Sequence, residues 1–166
     1  FSANSSVAVV VSDSYLSRIN LDVDEPEPEH IQITDDLVDP PLAEEVVVAP
    51  DGATAIVRQF AATELVHVDL NELARTSLPV GDNPTDLDIT PDGTELVVIA
   101  RGSKELWVYG MDDPFADQTV LDLPEEAVFG SVLLSPDNAR GLLYSTASGE
   151  SLYASWDRAS DEVTLR

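Results

Sequence analysis

Seven side chains in this sequence have types and spacing that could do chemistry. Glu45, Asp86 and Asp88 offer carboxylate oxygens; Arg58, Gln59, Asn83 and Arg101 offer hydrogen-bonding groups. Glu45 stands five residues before a Pro-Asp-Gly tripeptide beginning at Pro50, and Asp86 stands five before a second one beginning at Pro91. Ser131 stands at the same place before a third, altered copy at Pro136, and Glu44 and Asp88 add acids nearby. If such positions converge, they make a ring of hard oxygen donors suited to Ca²⁺ or another hard cation. Arg58 and Arg101 are two of only seven arginines, and a guanidinium can clamp a carboxylate bidentately against a negative surroundings. Gln59 and Asn83 join them as candidate ligand-binding positions. Each has a plainer use: the acids as ordinary surface charge, the arginines in salt bridges to neighbouring Asp or Glu.

Other chemistry finds little support. There is no cysteine, which removes disulfides, thiolate metal sites and Cys nucleophiles. The two histidines, His30 and His67, have no metal-ligand spacing, and the serines form no nucleophile motif. The acids Asp22, Asp24, Glu25, Glu27 and Glu29 lack the glycine and terminal glutamate of an EF-hand loop and read as a solvated loop.

The elements that must position these residues follow from the tripeptide. Asp51, Asp92 and Asp137 mark copies 41 and then 45 residues apart, the third written Pro136-Asp137-Asn138. Pro presets φ, Asp bonds its own backbone and Gly accepts positive φ, so each copy predicts a turn. Asn tolerates the left-handed region, so the third turn can survive. Strand-like runs surround every copy. Glu45–Ala49, Asp86–Thr90 and Ser131–Ser135 precede it; Ala55–Arg58, Leu96–Ile99 and Leu142–Ser145 follow it. Third runs are expected at 64–68, 105–109 and 150–154, and fourth runs at 76–80, 119–123 and 162–165. Val7 to Leu21 matches Ile56 to Leu70 without gaps, which supplies three strands of one further unit. Short strands between turns, repeated at a period near forty, predict four-stranded propeller blades. The expected fold is an all-β propeller portion of about four blades, at 1–40, 41–82, 83–127 and 128–166, the first lacking its initial strand. Loops before the first strand and after the second make one face, which adds Ser12, Asp13, Ser145 and Thr146 to its surface. His67 aligns with the apolar Val108 and reads as packing; Trp107 and Trp156 read as core between blades.

The stretch Asn83-Pro84-Thr85-Asp86-Leu87-Asp88-Ile89-Thr90-Pro91-Asp92-Gly93, preceded by Leu78-Pro79-Val80-Gly81, resembles the YVTN-type β-propeller repeat. The resemblance runs from about Val7 to Leu165. No copy ends in Tyr-Val-Thr-Asn; the nearest endings are Ile56-Val57-Arg58-Gln59 and Leu143-Tyr144-Ser145-Thr146. The resemblance implies a fold shared by lactonases, surface-layer proteins and binding modules, so it leaves the activity open.

Charge narrows the partners. The 166 residues carry 32 acids against 8 bases, a net charge of −24, which repels phosphate backbones and disfavours nucleic acid. Lys104 is the sole lysine, a pattern resembling proteins of marine or high-salt settings, where salt screens self-repulsion. No apolar run is long enough for a membrane-spanning helix, and the start at Phe1, without a basic and apolar leader pattern, is what a chain whose leader has been removed is expected to show. These features predict a non-catalytic, extracytoplasmic binding or scaffold module, periplasmic, cell-surface or secreted. It is expected to be part of a larger propeller whose partner is another protein or the remaining blades. The alternatives are a lactonase-like or metal-assisted hydrolase with its site on the channel face, and a half-propeller that closes as a homodimer.

Overall fold

A computed structural model describes residues 6–145 and 147–166. Among these residues it holds fifteen strands and no helix. The first sheet has three strands: β1 (Val7–Val11), β2 (Tyr15–Asn20) and β3 (Pro28–Gln32). The second has four: β4 (Ala43–Val48), β5 (Thr54–Gln59), β6 (Glu64–Asp69) and β7 (Ala74–Pro79). The third is β8 (Pro84–Ile89), β9 (Glu95–Ala100), β10 (Glu105–Gly110) and β11 (Gln118–Asp122). The fourth is β12 (Ser131–Leu134), β13 (Arg140–Tyr144), β14 (Tyr153–Asp157) and β15 (Glu162–Leu165). Each sheet is an antiparallel meander in chain order. The chain divides into two compact units, Phe1–Pro79 and Val80–Arg166, with two sheets in each.

The tripeptide turns behave as their residues require. Gly52 and Gly93 both have φ of 75°, and Asn138 takes the same left-handed place at 59°. In each copy the third residue's N–H donates to the carbonyl three residues back, on Ala49, Thr90 or Ser135. Each aspartate accepts the backbone N–H two residues on, at Ala53, Thr94 and Ala139. In the second copy the Thr90 hydroxyl also donates to Asp92, at 2.7 Å, and the Thr94 hydroxyl at 2.8 Å. These bonds, that from Thr90 foremost, hold the Asp92 carboxyl down at about 2, from an ordinary 3.8. A folded-state value below the unfolded one stabilises the fold above the unfolded value and is lost as pH falls toward 2. Asp92→Asn is therefore expected to flatten the acid limb of stability between about pH 4 and 2. Urea midpoints measured at stepped pH check this; an unchanged slope refutes it.

Several boundaries shift by one or two residues from the sequence pattern, and two differences change what the strands carry. The third strand of the last sheet begins at Tyr153, not Glu150. Residues 147–150 turn instead, with Gly149 at φ 88° and Glu150 N–H donating to Ala147 O. The later start places Ala154 opposite Leu143, as Leu106 sits opposite Ile99. Trp156 thus occupies the place of Val108, and Trp107 is not its counterpart. The acidic segment ending at Glu29 is also shorter than a loop reading implies. Pro28 and Glu29 already belong to β3, and Arg18 on β2 holds Glu29 at 2.5 Å. An edge strand tolerates Pro because its missing N–H would have faced outward.

Alternation along the strands builds one core per unit. In the first, Ala55 and Val57 of β5 share a face with Val66 and Val68 of β6 and pack with Leu16 and Ile31. In the second, Val97, Ile99, Leu106 and Val108 pack with Phe129, Leu143 and Trp156. Trp156 is 1% exposed. Gly141 lies opposite it, where an added Cβ would come within 2.8 Å of the indole Cε3.

Candidate functional site: the loop ends of the sheets

The acidic candidates sit at β-bulges. Register shifts fall between Ala43 and Glu45 on β4 and between Pro84 and Asp86 on β8, equivalent places in the two repeats. A bulge inserts one residue and re-aims the side chains around it. On β4 it turns both Glu44 and Glu45 toward Arg58 of β5. Arg58 Nε donates to Glu45 at 3.0 Å, and Nη1 donates to Glu44. Arg58 is 8% exposed, a buried guanidinium fixed between two carboxylates. Of the two uses expected for Arg58, a ligand clamp or a salt bridge to neighbouring acids, the structure holds the salt bridge, and Glu45 is engaged with it. On β8 the bulged Thr85 donates its hydroxyl to Gly130 O at 2.9 Å, and Asp86 accepts Val132 N–H at 2.7 Å. Asp88 accepts the N–H of Leu134, and burial pushes its carboxyl up from the ordinary value. The two carboxylates of β8 thus serve as acceptors for β12, an edge strand whose outward N–H groups have no strand partner in its own sheet. Among the described residues no three or more His, Cys, Asp or Glu side chains come together as a metal cage. Glu45, Asp86 and Asp88, the carboxylates suggested for Ca²⁺, each accept a hydrogen bond from their own fold.

Asn83 and Arg101 are brought together. Asn83 sits at φ 52°, and its carbonyl accepts Arg101 N–H at 3.1 Å. Next to them Gly102 N–H donates to Asp82 O at 2.8 Å, closing the loop ends of β8 and β9 over one another. A Cβ built at Gly130 would lie 3.9 Å from Arg101 Nη1 and equally far from Thr85 Oγ1, so the guanidinium reaches toward the start of β12. Arg101 is half-buried and Asn83 is exposed. Among the described residues, the Arg101 side chain has no ion pair or hydrogen bond, unlike Arg18, Arg58, Arg75, Lys104 and Arg158, each of which holds a carboxylate. Gln59 ends β5 at 7% exposure, and its buried Nε2 has no hydrogen-bond partner among the described residues.

The remaining loop candidates are engaged locally. Asp13 accepts Ala43 N–H at 3.0 Å, Ser12 bonds across its own turn to Tyr15, and Ser145 accepts Ala147 N–H. Thr146 lies outside the described residues. His67 is partly buried opposite Ile56, and burial lowers its pKa, in keeping with a packing position. Trp107 is only half-buried; its Nε1 donates to Glu105 at 2.8 Å and its ring stacks on Tyr109 at 5.9 Å. Sequence reasoning missed Thr85 and Gly130 as neighbours of Arg101. Their only signal was the bulge, which leaves no mark in residue types.

No family model matches this chain, and no curated protein matches it. Solved structures do. A chain of Kuenenia stuttgartiensis hydrazine synthase matches with a TM-score of 0.78 at 18% identity, over 100% of this chain and 47% of that one. The β-propeller domain of Myceliophteria thermophila Cps50 (Swd1) matches with a TM-score of 0.71 at 11% identity, over 96% of this chain and 54% of that one. The fold is a β-propeller. This chain contributes three four-stranded blades and one three-stranded blade, and it spans about half the length of each of these relatives in structure. Among the described residues no helix is long and apolar enough to cross a membrane.

Proposed function

We propose that this chain is a non-catalytic, extracytoplasmic binding module of YVTN type, part of a larger propeller, which takes a carboxylate of a protein partner on the loop ends of β8 and β9. The observation that carries this reading is the unpaired guanidinium of Arg101 beside Asn83, in a chain with 32 acidic residues. Among the described residues Arg140 and Arg166 also have no ion pair but are exposed, whereas the half-buried Arg101, beside Asn83, is placed to take a planar anion from outside. Exposed apolar side chains on the sheets, Val10 at 58%, Leu133 at 56% and Tyr153 at 47%, support further blades beyond these four.

The test is calorimetric titration with an acidic peptide bearing a free terminal carboxylate, in high salt to screen the −24 field. Charge-assisted hydrogen bonds contribute about 1.5–3 kcal/mol, so Arg101→Ala is expected to weaken binding at least about tenfold. Equal affinity in the variant refutes the reading.

A further inference from the structure

A cleft of about 390 Å³ opens in the first unit, between the β3–β4 connection and the β5–β6 hairpin. This is within the size range of ligand sites. Its floor is apolar: Ile33 and Leu65 are buried, at 1% and 0% exposure. Its rim carries the carboxylates of Asp35, Asp36 and Glu64 and one cation, Arg75. Asp35 holds Arg75 at 2.5 Å but is itself 92% exposed. Asp36 accepts the N–H groups of Asp39 and Val38, which holds its carboxyl below the usual range and keeps it charged. The rim therefore has negative charge in excess.

Acidic side chains alone would be an ordinary surface of an acidic protein. The second observation is Gln59, which lines the same cleft at 7% exposure with its Nε2 donor unpartnered. Buried amide donors in folded proteins are nearly always paired. An anion that could accept from Gln59 would be repelled by Asp36 and Glu64, and a purely apolar group would leave the donor empty. One chemistry answers all three features: a cation for the carboxylates, an aliphatic stem for the floor and a carbonyl for Gln59.

We propose that this cleft takes a lysine or arginine side chain of an extended peptide, the cation lying at Glu64 and Asp36 and a peptide carbonyl accepting from Gln59 Nε2. The long stem covers the apolar floor while the head stays among the acids. The ligand is opposite in charge to the one expected at Arg101, and the inference does not rest on that site.

The test follows the Gln59 side-chain amide by NMR in the labelled, unmutated protein. The probe is a short blocked peptide, acetyl-Gly-Arg-Gly-Lys-Gly-amide; the control carries citrulline and acetyl-lysine in place of its two basic residues. The Gln59 amide resonances are expected to move with the basic peptide and stay in place with the control. Glu64→Gln is expected to weaken the basic peptide about tenfold, with Glu25→Gln, in the other acidic segment, leaving affinity unchanged. Gln59 resonances that stay in place while the peptide binds overturn the proposal, as does equal weakening by both variants, which would assign binding to the diffuse negative field. Movement caused equally by free spermidine would also overturn it, because the carbonyl would then play no part.

Discussion

Trp156→Ala is expected to remove about 3–5 kcal/mol from the stability of the second unit. Trp156 is 1% exposed, among Leu143, Phe129, Leu106 and Val108, and Arg158 lies over its ring at 5.2 Å. Removing the indole empties the largest fully buried side chain of that core. Whole domains are stable by only about 5–15 kcal/mol, so the loss is a large part of the total. Trp156→Phe is expected to cost far less, about 1 kcal/mol. It keeps a ring in place and removes an Nε1 donor that is buried without a partner. Gly141 supplies the internal check. Gly141→Ala alone should cost about 1–3 kcal/mol, because its Cβ would press on the indole at 2.8 Å. In the Trp156→Ala background that cost should disappear, since the atom it strikes is gone. Denaturant titration of the four proteins measures the cycle. Additive losses would show that the close approach of Gly141 to Trp156 does not shape this core.

Arg58→Ala is expected to destabilise the first unit by about 2 kcal/mol. Removing one partner of a fully buried ion pair costs more, about 3–5 kcal/mol. Here the glutamate side chains are 39% and 28% exposed and can regain water, which lowers the cost. Arg58→Leu should recover part of the loss by keeping the buried stem packed. Unfolding by urea, followed for both variants, gives the comparison. A protein whose stability is unchanged by Arg58→Ala would return Arg58 to the group of free ligand-binding side chains.

These outcomes turn on how much of the site was legible in the chain. The turns were fully legible, because φ near +60° is a local demand that Gly52, Gly93 and Asn138 meet by residue type. The strands were legible to within a few residues, because alternation and β-branched composition act over single strands. Arg58 and Arg101 both lie near the end of a second strand, but not at equivalent repeat positions, since Arg58 matches Ile99. What lies across the sheet then separates their roles. Glu44 and Glu45 are consecutive, so regular pleating would send them to opposite faces. The bulge at this place brings both to Arg58. Arg101 faces Thr85 and Gly130, which offer it no carboxylate.

Asp86 and Asp88 make the same point. They stand on a first strand, as Glu44 and Glu45 do in the preceding copy, and acids at such positions suggested a ring for a cation. The structure spends them on the N–H groups of Val132 and Leu134, a need that arises only when β12 is laid beside β8. Trp156 moved register through a turn at 147–150 that a fixed repeat offset could not anticipate. The sequence by itself determined the repeat, the turns, the four-strand meander and the negative field, because each depends on neighbours a few residues away or on composition. Tertiary structure alone decided which charged groups are consumed and which remain open, because ion pairs and buried donors are settled between residues that only the folded sheets bring together.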